Sequence, residues 1–310
     1  MSIAISRHTN YYIKKRRLNY IKMKEIIKII LHELKITLFY IIPLRLISRI
    51  TFFLARIENR FTKKIFIKTY KRFFNIELDE YQKKNVDDYK NLDDFFIREL
   101  DFNYRKKLDD ERNIISPCDG TISGFGEIND STFIHAKKHK YNVSELINEK
   151  NHKFSNGKFV NIYLEPKDCH RVYMPCDAIL SKITNIPGCL YSVAPYASSG
   201  IKNLYSKNER VVLSFESESF LMTIVMVGAV NVGCISLTRH GIITPKKYRV
   251  NKKNDINDKK IQSYKKGEEV AMFNLGSTVI ILLSDMRGKW NDNIITSNKI
   301  LIRDEIFKLN

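Results

Sequence analysis

The sequence predicts an α+β protein, with N-terminal amphipathic helices leading into a mostly antiparallel, β-rich domain. Three observations predict it. Of the formal net charge of +19, residues 1–72 carry +15, from 18 Lys and Arg against 3 Asp and Glu. Between Ile26 and Phe74 apolar residues dominate, but a charge interrupts them every few positions. After Ile114 the texture changes to short β-rich runs separated by Gly, Pro and Asn.

Residues 1–24 are polar and basic, with Lys14-Lys15-Arg16-Arg17 at their centre, and read as a flexible extension. Residues 25–75 read as amphipathic helices. Their longest uncharged run, Ile36–Leu44, is nine residues and contains Pro43, whereas a spanning helix needs roughly 20 apolar residues. No uninterrupted apolar stretch precedes a small-residue cleavage site, so a removable signal is not predicted. Leu46, Ile50, Phe53, Leu54 and Ile57 share one helical face, and Arg45, Arg49, Arg56 and Arg60 gather on another. Such a helix either packs on the protein's own core or lies in a lipid interface with its cations at the head groups. The basic excess favours the lipid surface, where each cation contributes about 1 kcal/mol. Nucleic acid is the weaker partner, because no recognition-helix, zinc-finger or RNA-binding signature accompanies the charge.

Residues 76–113 are richer in acids (Glu77, Asp79, Glu80, Asp87, Asp88, Asp93, Asp94) and read as short surface helices. Strands are predicted at Phe159–Leu164, Ala178–Ile183, Val211–Phe215, Met222–Leu237 and Val279–Leu283. Asn251–Lys266, full of Lys, Asn and Asp, reads as a solvated loop. The five cysteines, at 118, 169, 176, 189 and 234, include no Cys-x-x-Cys pair and form no even framework. They predict neither a zinc site nor a disulfide scaffold, and they suit a reducing compartment as small buried hydrophobes.

Four short segments could carry chemistry. Ser116-Pro117-Cys118-Asp119-Gly120 is a turn presenting a carboxylate, although Asp-Gly turns are mostly structural. Asp168-Cys169-His170-Arg171 places an acid, an imidazole and a guanidinium after a strand, where the His is either a base or a satisfied polar group. Asn208-Glu209-Arg210 opens another strand, and its Glu/Arg pair reads as a surface ion pair. Leu275-Gly276-Ser277-Thr278 precedes an apolar strand and by itself is an ordinary turn signal. An Asp, a His and a Ser can form a nucleophilic triad, but spacing alone does not show that they meet.

Taken in order, these segments resemble the phosphatidylserine decarboxylase family, in its bacterial-type membrane-associated branch. Leu92-Asp93-Asp94-Phe95-Phe96-Ile97-Arg98-Glu99-Leu100, Val227-Gly228-Ala229-Val230-Asn231-Val232-Gly233, Lys266-Gly267-Glu268-Glu269-Val270 and Phe273-Asn274 extend the series. The likeness runs from about Leu34 to Leu283 and leaves out residues 1–24. It implies that residues 76–310 form the catalytic domain and that the Gly276–Ser277 bond is the cleavage site. The Ser277 hydroxyl would attack the Gly276 carbonyl, leaving a β chain of residues 1–276 and an α chain of residues 277–310. Ser277 would become a covalent pyruvoyl group and Schiff-base site, decarboxylating phosphatidylserine to phosphatidylethanolamine without a metal or pyridoxal phosphate. Asp119, His170 and Ser277 would be the catalytic residues. The implied partners are phosphatidylserine in an anionic membrane surface and the two chains of one precursor as a heterodimer, with room for further dimerisation and no nucleic acid. The implied location is peripheral, on the cytoplasmic face of the cell membrane.

One position departs from the family pattern. The family has a second His three residues after the first, and this chain has Tyr173 there; Cys169 also stands where Tyr is usual. An unperturbed phenol, with a pKa of about 10, is a poor base at neutral pH. His170 then covers both base and proton-donor roles, or Tyr173 acts in a shifted site, or processing is slow; the first reading is favoured. Two other readings compete. A processing-deficient membrane-associated homologue would follow from Tyr173. A lipoyl- or biotinyl-carrier-like module would explain Lys266–Val270, but it needs a Lys at a hairpin tip where this chain offers Gly276-Ser277.

Overall fold

The computed structural model describes residues 23–108, 113–135, 139–150, 153–230, 234–244, 254–256, 262–274 and 277–310. Two compact units divide the chain, residues 1–42 and residues 43–310. In the first, the described part is helix α1 (Met23–Ile41), which exposes Ile27, Ile30, Leu34 and Leu38. The expected extension at 1–24 lies, apart from its last two residues, outside the described residues. Among those described, no single helix is long and apolar enough to cross a membrane.

The second unit opens with α2 (Leu44–Ala55) and α3 (Arg60–Phe74). The face predicted to run through Ile57 is cut short, because α2 ends at Ala55 and a new cap starts α3. The Asn59 side chain accepts from the amides of Phe61 and Thr62 at 3.1 and 3.2 Å, satisfying two donors of the first turn. Asn75 closes α3 in the left-handed conformation (φ 51°), with Lys71 and Arg72 in the last turn. Ile67 turns into a cluster with Ile76, Tyr81, Tyr89, Phe95 and Leu100, whereas Phe61 and Phe73 face solvent.

Helix α4 (Leu92–Phe96) is an exception to the surface reading of residues 76–113. Phe95, Phe96, Arg98 and Leu100 are all essentially inaccessible. Of the acids that suggested a surface, Asp94 pairs with Lys83 at 2.7 Å and Asp93 with Arg56 at 2.8 Å, while Glu77, Asp79, Glu80, Asp87 and Asp88 are exposed as expected.

The rest is β structure, in chain order β1 (Asn113–Ile115), β2 (Gly120–Glu127), β3 (Thr132–His135), β4 (His139–Asn142), β5 (Lys158–Leu164), β6 (Arg171–Tyr173) and β7 (Ala178–Ile186). Then follow β8 (Arg210–Glu216), β9 (Leu221–Val227), β10 (Cys234–Leu237), β11 (Gly241–Thr244), β12 (Asn254–Ile256) and β13 (Gln262–Tyr264). The series ends with β14 (Glu269–Asn274), β15 (Ser277–Leu283), β16 (Gly288–Trp290), β17 (Lys299–Ile300) and β18 (Glu305–Leu309). The largest sheet runs β12-β7-β8-β9-β15-β5-β2-β17, with β13 also paired to β7. A second sheet runs β11-β10-β14-β6 and a third β1-β18-β16. The named ladders are antiparallel, as predicted.

Two strand expectations change. The run Met222–Leu237 is two strands in different sheets, β9 and β10. The stretch read as a solvated loop holds β12 and β13, both on β7. Their polar sequence misled because edge strands face water and tolerate charge. β15 is the opposite case: it lies between β9 and β5 and all seven of its residues are buried. Hence it reads as a continuous apolar run after its first two residues.

Candidate active site

The chain passes from one sheet to another between Asn274 and Ser277. β14 ends the first ladder at Asn274, opposite Cys234, and β15 begins the second at Ser277, opposite Leu164. Leu275 and Gly276, the upstream half of the predicted cleavage site, lie outside the described residues. Ser277 is 1% exposed, and its Oγ has no hydrogen-bond partner among the described residues. A buried hydroxyl without a partner is costly, by about 1–3 kcal/mol, and such groups gather where chemistry needs them.

His170 is bound to both flanks of this crossing. Its Nε2 meets the carbonyl of Glu165, the neighbour of Leu164, at 3.0 Å, and its own carbonyl accepts from the amide of Phe273 at 2.9 Å. A carbonyl only accepts, so Nε2 carries the proton and Nδ1, buried and without a partner, holds the free lone pair. Burial, with Arg98 adding to it, pushes the imidazole down to about 3, so the ring is neutral near pH 7. The ring of Phe96 packs against it.

The loop carrying His170 is fixed from outside. Asp168 closes it by accepting from the Glu165 amide at 2.7 Å and from Lys299 at 3.2 Å. Arg98 donates to the carbonyls of Lys167 and Asp168 and stacks 4.5 Å from the Tyr81 ring. A fork with five donors suits a loop that offers carbonyls, and this explains the cation in Leu92–Leu100.

Asp119 is also buried, but it faces other partners. Arg105 donates to its Oδ2 at 2.9 Å and the amide of Ile302 to its Oδ1 at 2.8 Å. Burial raises its pKa while Arg105 and these bonds oppose the rise. Gly120 beside it is required, since a Cβ would lie 2.6 Å from the Tyr163 carbonyl. No hydrogen bond links Asp119, His170 and Ser277 among the described residues. Tyr173 packs in the cluster of Ile67, Tyr81 and Phe95, edge-on to Phe102 with centroids 5.2 Å apart. Burial raises its phenol further, so it is no better a base than in water.

The Asn208-Glu209-Arg210 segment needs a correction. It is a buried clamp, not a surface ion pair. Asn208 bonds the Tyr191 and Gly228 carbonyls at 2.8 Å, and Arg210 donates to those of Leu146, Ser206, Asn208 and Glu145 at 2.6–2.9 Å. With no carboxylate beside it, burial alone lowers the guanidinium to about 10.

A set the sequence did not single out for chemistry lies at the upstream flank. The Asn274 amide donates to both oxygens of Asp93 (3.0 and 3.1 Å), and its oxygen accepts from Ser236 at 2.9 Å. Both residues lie in the motif series, but nothing in it links Asn274 to Asp93, 181 positions away. Among the described residues, no three His, Cys, Asp or Glu side chains group as metal ligands.

Comparison with known proteins shows the family. The family model described as phosphatidylserine decarboxylase matches residues 92–307. A phosphatidylserine decarboxylase proenzyme of Saccharophagus degradans is 34% identical over 89% of this chain and 98% of its own length. That of Francisella tularensis subsp. holarctica is 40% identical over 81% and 89%, and that of Alcanivorax borkumensis 34% over 88% and 95%. The chain therefore belongs to the phosphatidylserine decarboxylase family.

Proposed function

We propose that this chain is the precursor of a membrane-bound phosphatidylserine decarboxylase that cuts itself between Gly276 and Ser277. The observation that carries the reading is the uncommitted Oγ of Ser277, buried at the entry to the central strand directly after the inter-sheet crossing. Ser277 Oγ attacks the Gly276 carbonyl; the O–C bond forms, the C–N bond breaks, and the hydroxyl proton ends on the Ser277 amine. Loss of the Ser277 Cα proton with cleavage of the Cβ–O bond then frees Gly276 as a carboxylate. Water replaces the nitrogen of the resulting dehydroalanine as ammonia, leaving a pyruvoyl group on residue 277. Its carbonyl supplies the electron sink for loss of CO2 from a serine head group.

The chain's own residues do the rest. His170 offers an unprotonated Nδ1 as proton acceptor, a weak base because burial holds its conjugate acid at about 3, with Nε2–H anchored on Glu165 and the ring face covered by Phe96. Asp119, both oxygens engaged, holds residue 302 of the α chain against Arg105 of the β chain. Tyr173 serves as packing. Ladders of β15 with β5 and β9, β17 with β2 and β18 with β1 keep the two chains associated after cleavage.

A lipid substrate calls for a lipid surface. Phe53, Phe61 and Phe73 are 70–81% exposed on α2 and α3, among Arg60, Lys64 and Lys68. Ala55, at the end of α2, packs on Phe96, so helix α2 adjoins the site through its buried side. We place the enzyme peripherally on the cytoplasmic face of the membrane, held by residues 25–75.

Intact-mass measurement of the expressed protein tests the cleavage. Two fragments are expected, the shorter beginning with a blocked residue 277. A single uncut species, unchanged by Ser277→Ala, would overturn the reading.

A further inference from the structure

Asp93, Asn274 and Ser236 form a buried polar chain, joined at one end by the half-buried Arg56 of the α2 terminus; Asn274 stands two residues before Gly276. Arg56 caps α2, lies 3.5 Å over the Phe52 ring and bonds Asp93 at 2.8 Å. Asp93 takes both hydrogen bonds of one Asn274 nitrogen, and Ser236 donates to the Asn274 oxygen. Donor and acceptor ends are thereby both specified, and the amide has one orientation.

Stability gives little reason for such a network. Replacing a largely desolvated ion pair by apolar residues is often neutral, so the arrangement is better explained by the geometry it specifies. Only residues 275 and 276 separate Asn274 from Ser277. The downstream flank is fixed by the β5 ladder, and the upstream flank by the β10 ladder and this side chain. Attack on a peptide carbonyl depends steeply on placement, and an error of about 1 Å costs up to a hundredfold.

We infer that Asn274 is a positioning residue for self-cleavage, held by Asp93 and Ser236, and that Arg56 ties this hold to the end of helix α2. The inference rests on the cleavage proposed above. Asn274 acts by holding the end of β14 from which the chain leads to Ser277.

The test follows precursor conversion by intact mass, for the full chain made in a cell-free system and held with vesicles containing anionic phospholipid. Asn274→Ala and Asp93→Ala are each expected to slow cleavage about tenfold or more. Their double variant should be no slower than the worse single, as for two residues acting through one contact. Asn274→Asp gives a readout that a merely structural role would not move. It sets a second carboxylate against Asp93, with Arg56 of α2, Asp94 of α4 and Cys234 of β10 as the other titratable neighbours. A proton shared between the two carboxylates restores the hydrogen bond. The rate of Asn274→Asp relative to wild type should therefore rise as pH falls from 7.5 to 5.5. This ratio also decides the matter if Asn274→Ala does not fold. Wild-type cleavage with an equally fast Asn274→Ala, or a flat Asn274→Asp ratio, would overturn the positioning role alone. No cleavage of wild type would overturn the cleavage and this role together.

Discussion

The ring of Phe96 lies 4.1 Å from the ring of His170, tilted by 33°. The phenyl group takes the place of water on one imidazole face, and this helps keep His170 uncharged. The folded protein takes up this proton only at about pH 3, and an unfolded chain at about 6.5. Between those values the unfolded state holds more protons. His170 therefore contributes stability that is complete above about pH 6.5 and falls by about 1.4 kcal/mol per unit as pH drops towards 3. Denaturant unfolding at pH 7.5 and 5, in a Ser277→Ala background that stays uncut, should show this slope. His170→Gln should flatten it.

Asp119 joins segments on opposite sides of the cut. Asp119→Ala leaves the Arg105 guanidinium, 2% exposed, without its buried partner, which costs about 3–5 kcal/mol. The cleaved Asp119→Ala protein should release residues 277–310 at lower urea than wild type, as size-exclusion chromatography with mass detection would show. Equal release midpoints would argue that Asp119 acts only in chemistry.

Arg210 is predicted to matter for stability rather than for turnover. Arg210→Met removes donors from four carbonyls, and each acceptor left unsatisfied costs on the order of 1–3 kcal/mol. A fall of several degrees or more in Tm is expected. The fraction that still folds should cleave at the wild-type rate.

Membrane attachment is checked by flotation. Phe53→Ser with Phe61→Ser removes two of the most exposed aromatic rings on α2 and α3. The double variant should float less with vesicles rich in anionic lipid, while retaining its far-ultraviolet circular dichroism. Raising salt should weaken wild-type attachment further, through screening of Arg60, Lys64 and Lys68.

Much of the fold was legible in the sequence, because strands such as β5, β8 and β15 announce themselves as apolar runs bounded by turn residues. The misread charged residues share one cause. Asp93, Arg98 and Arg210 were read as solvent-seeking because charge is costly to bury, yet each has partners supplied by residues distant in sequence. Local pattern contains no information about an Asn274–Asp93 bond. The motif series named Ser277 and His170, and the structure sets both at one crossing between sheets. It did not foresee that Asp119 would be occupied by Arg105 and Ile302, or that Tyr173 would sit among Ile67 and Phe95.

The location of β15 has a further consequence. Val279 to Leu283 are buried between β9 and β5, and five aliphatic side chains at about 2 kcal/mol each amount to on the order of 10 kcal/mol. A backbone break at the head of this strand leaves residues 277–310 as a donor segment inserted in a finished sheet. The proposed cleavage therefore requires the precursor to complete its fold first, because separate fragments would have to find an interior slot between two strands already suited to pair with each other. Continuity of the chain is needed to build the molecule and is dispensable once it is built.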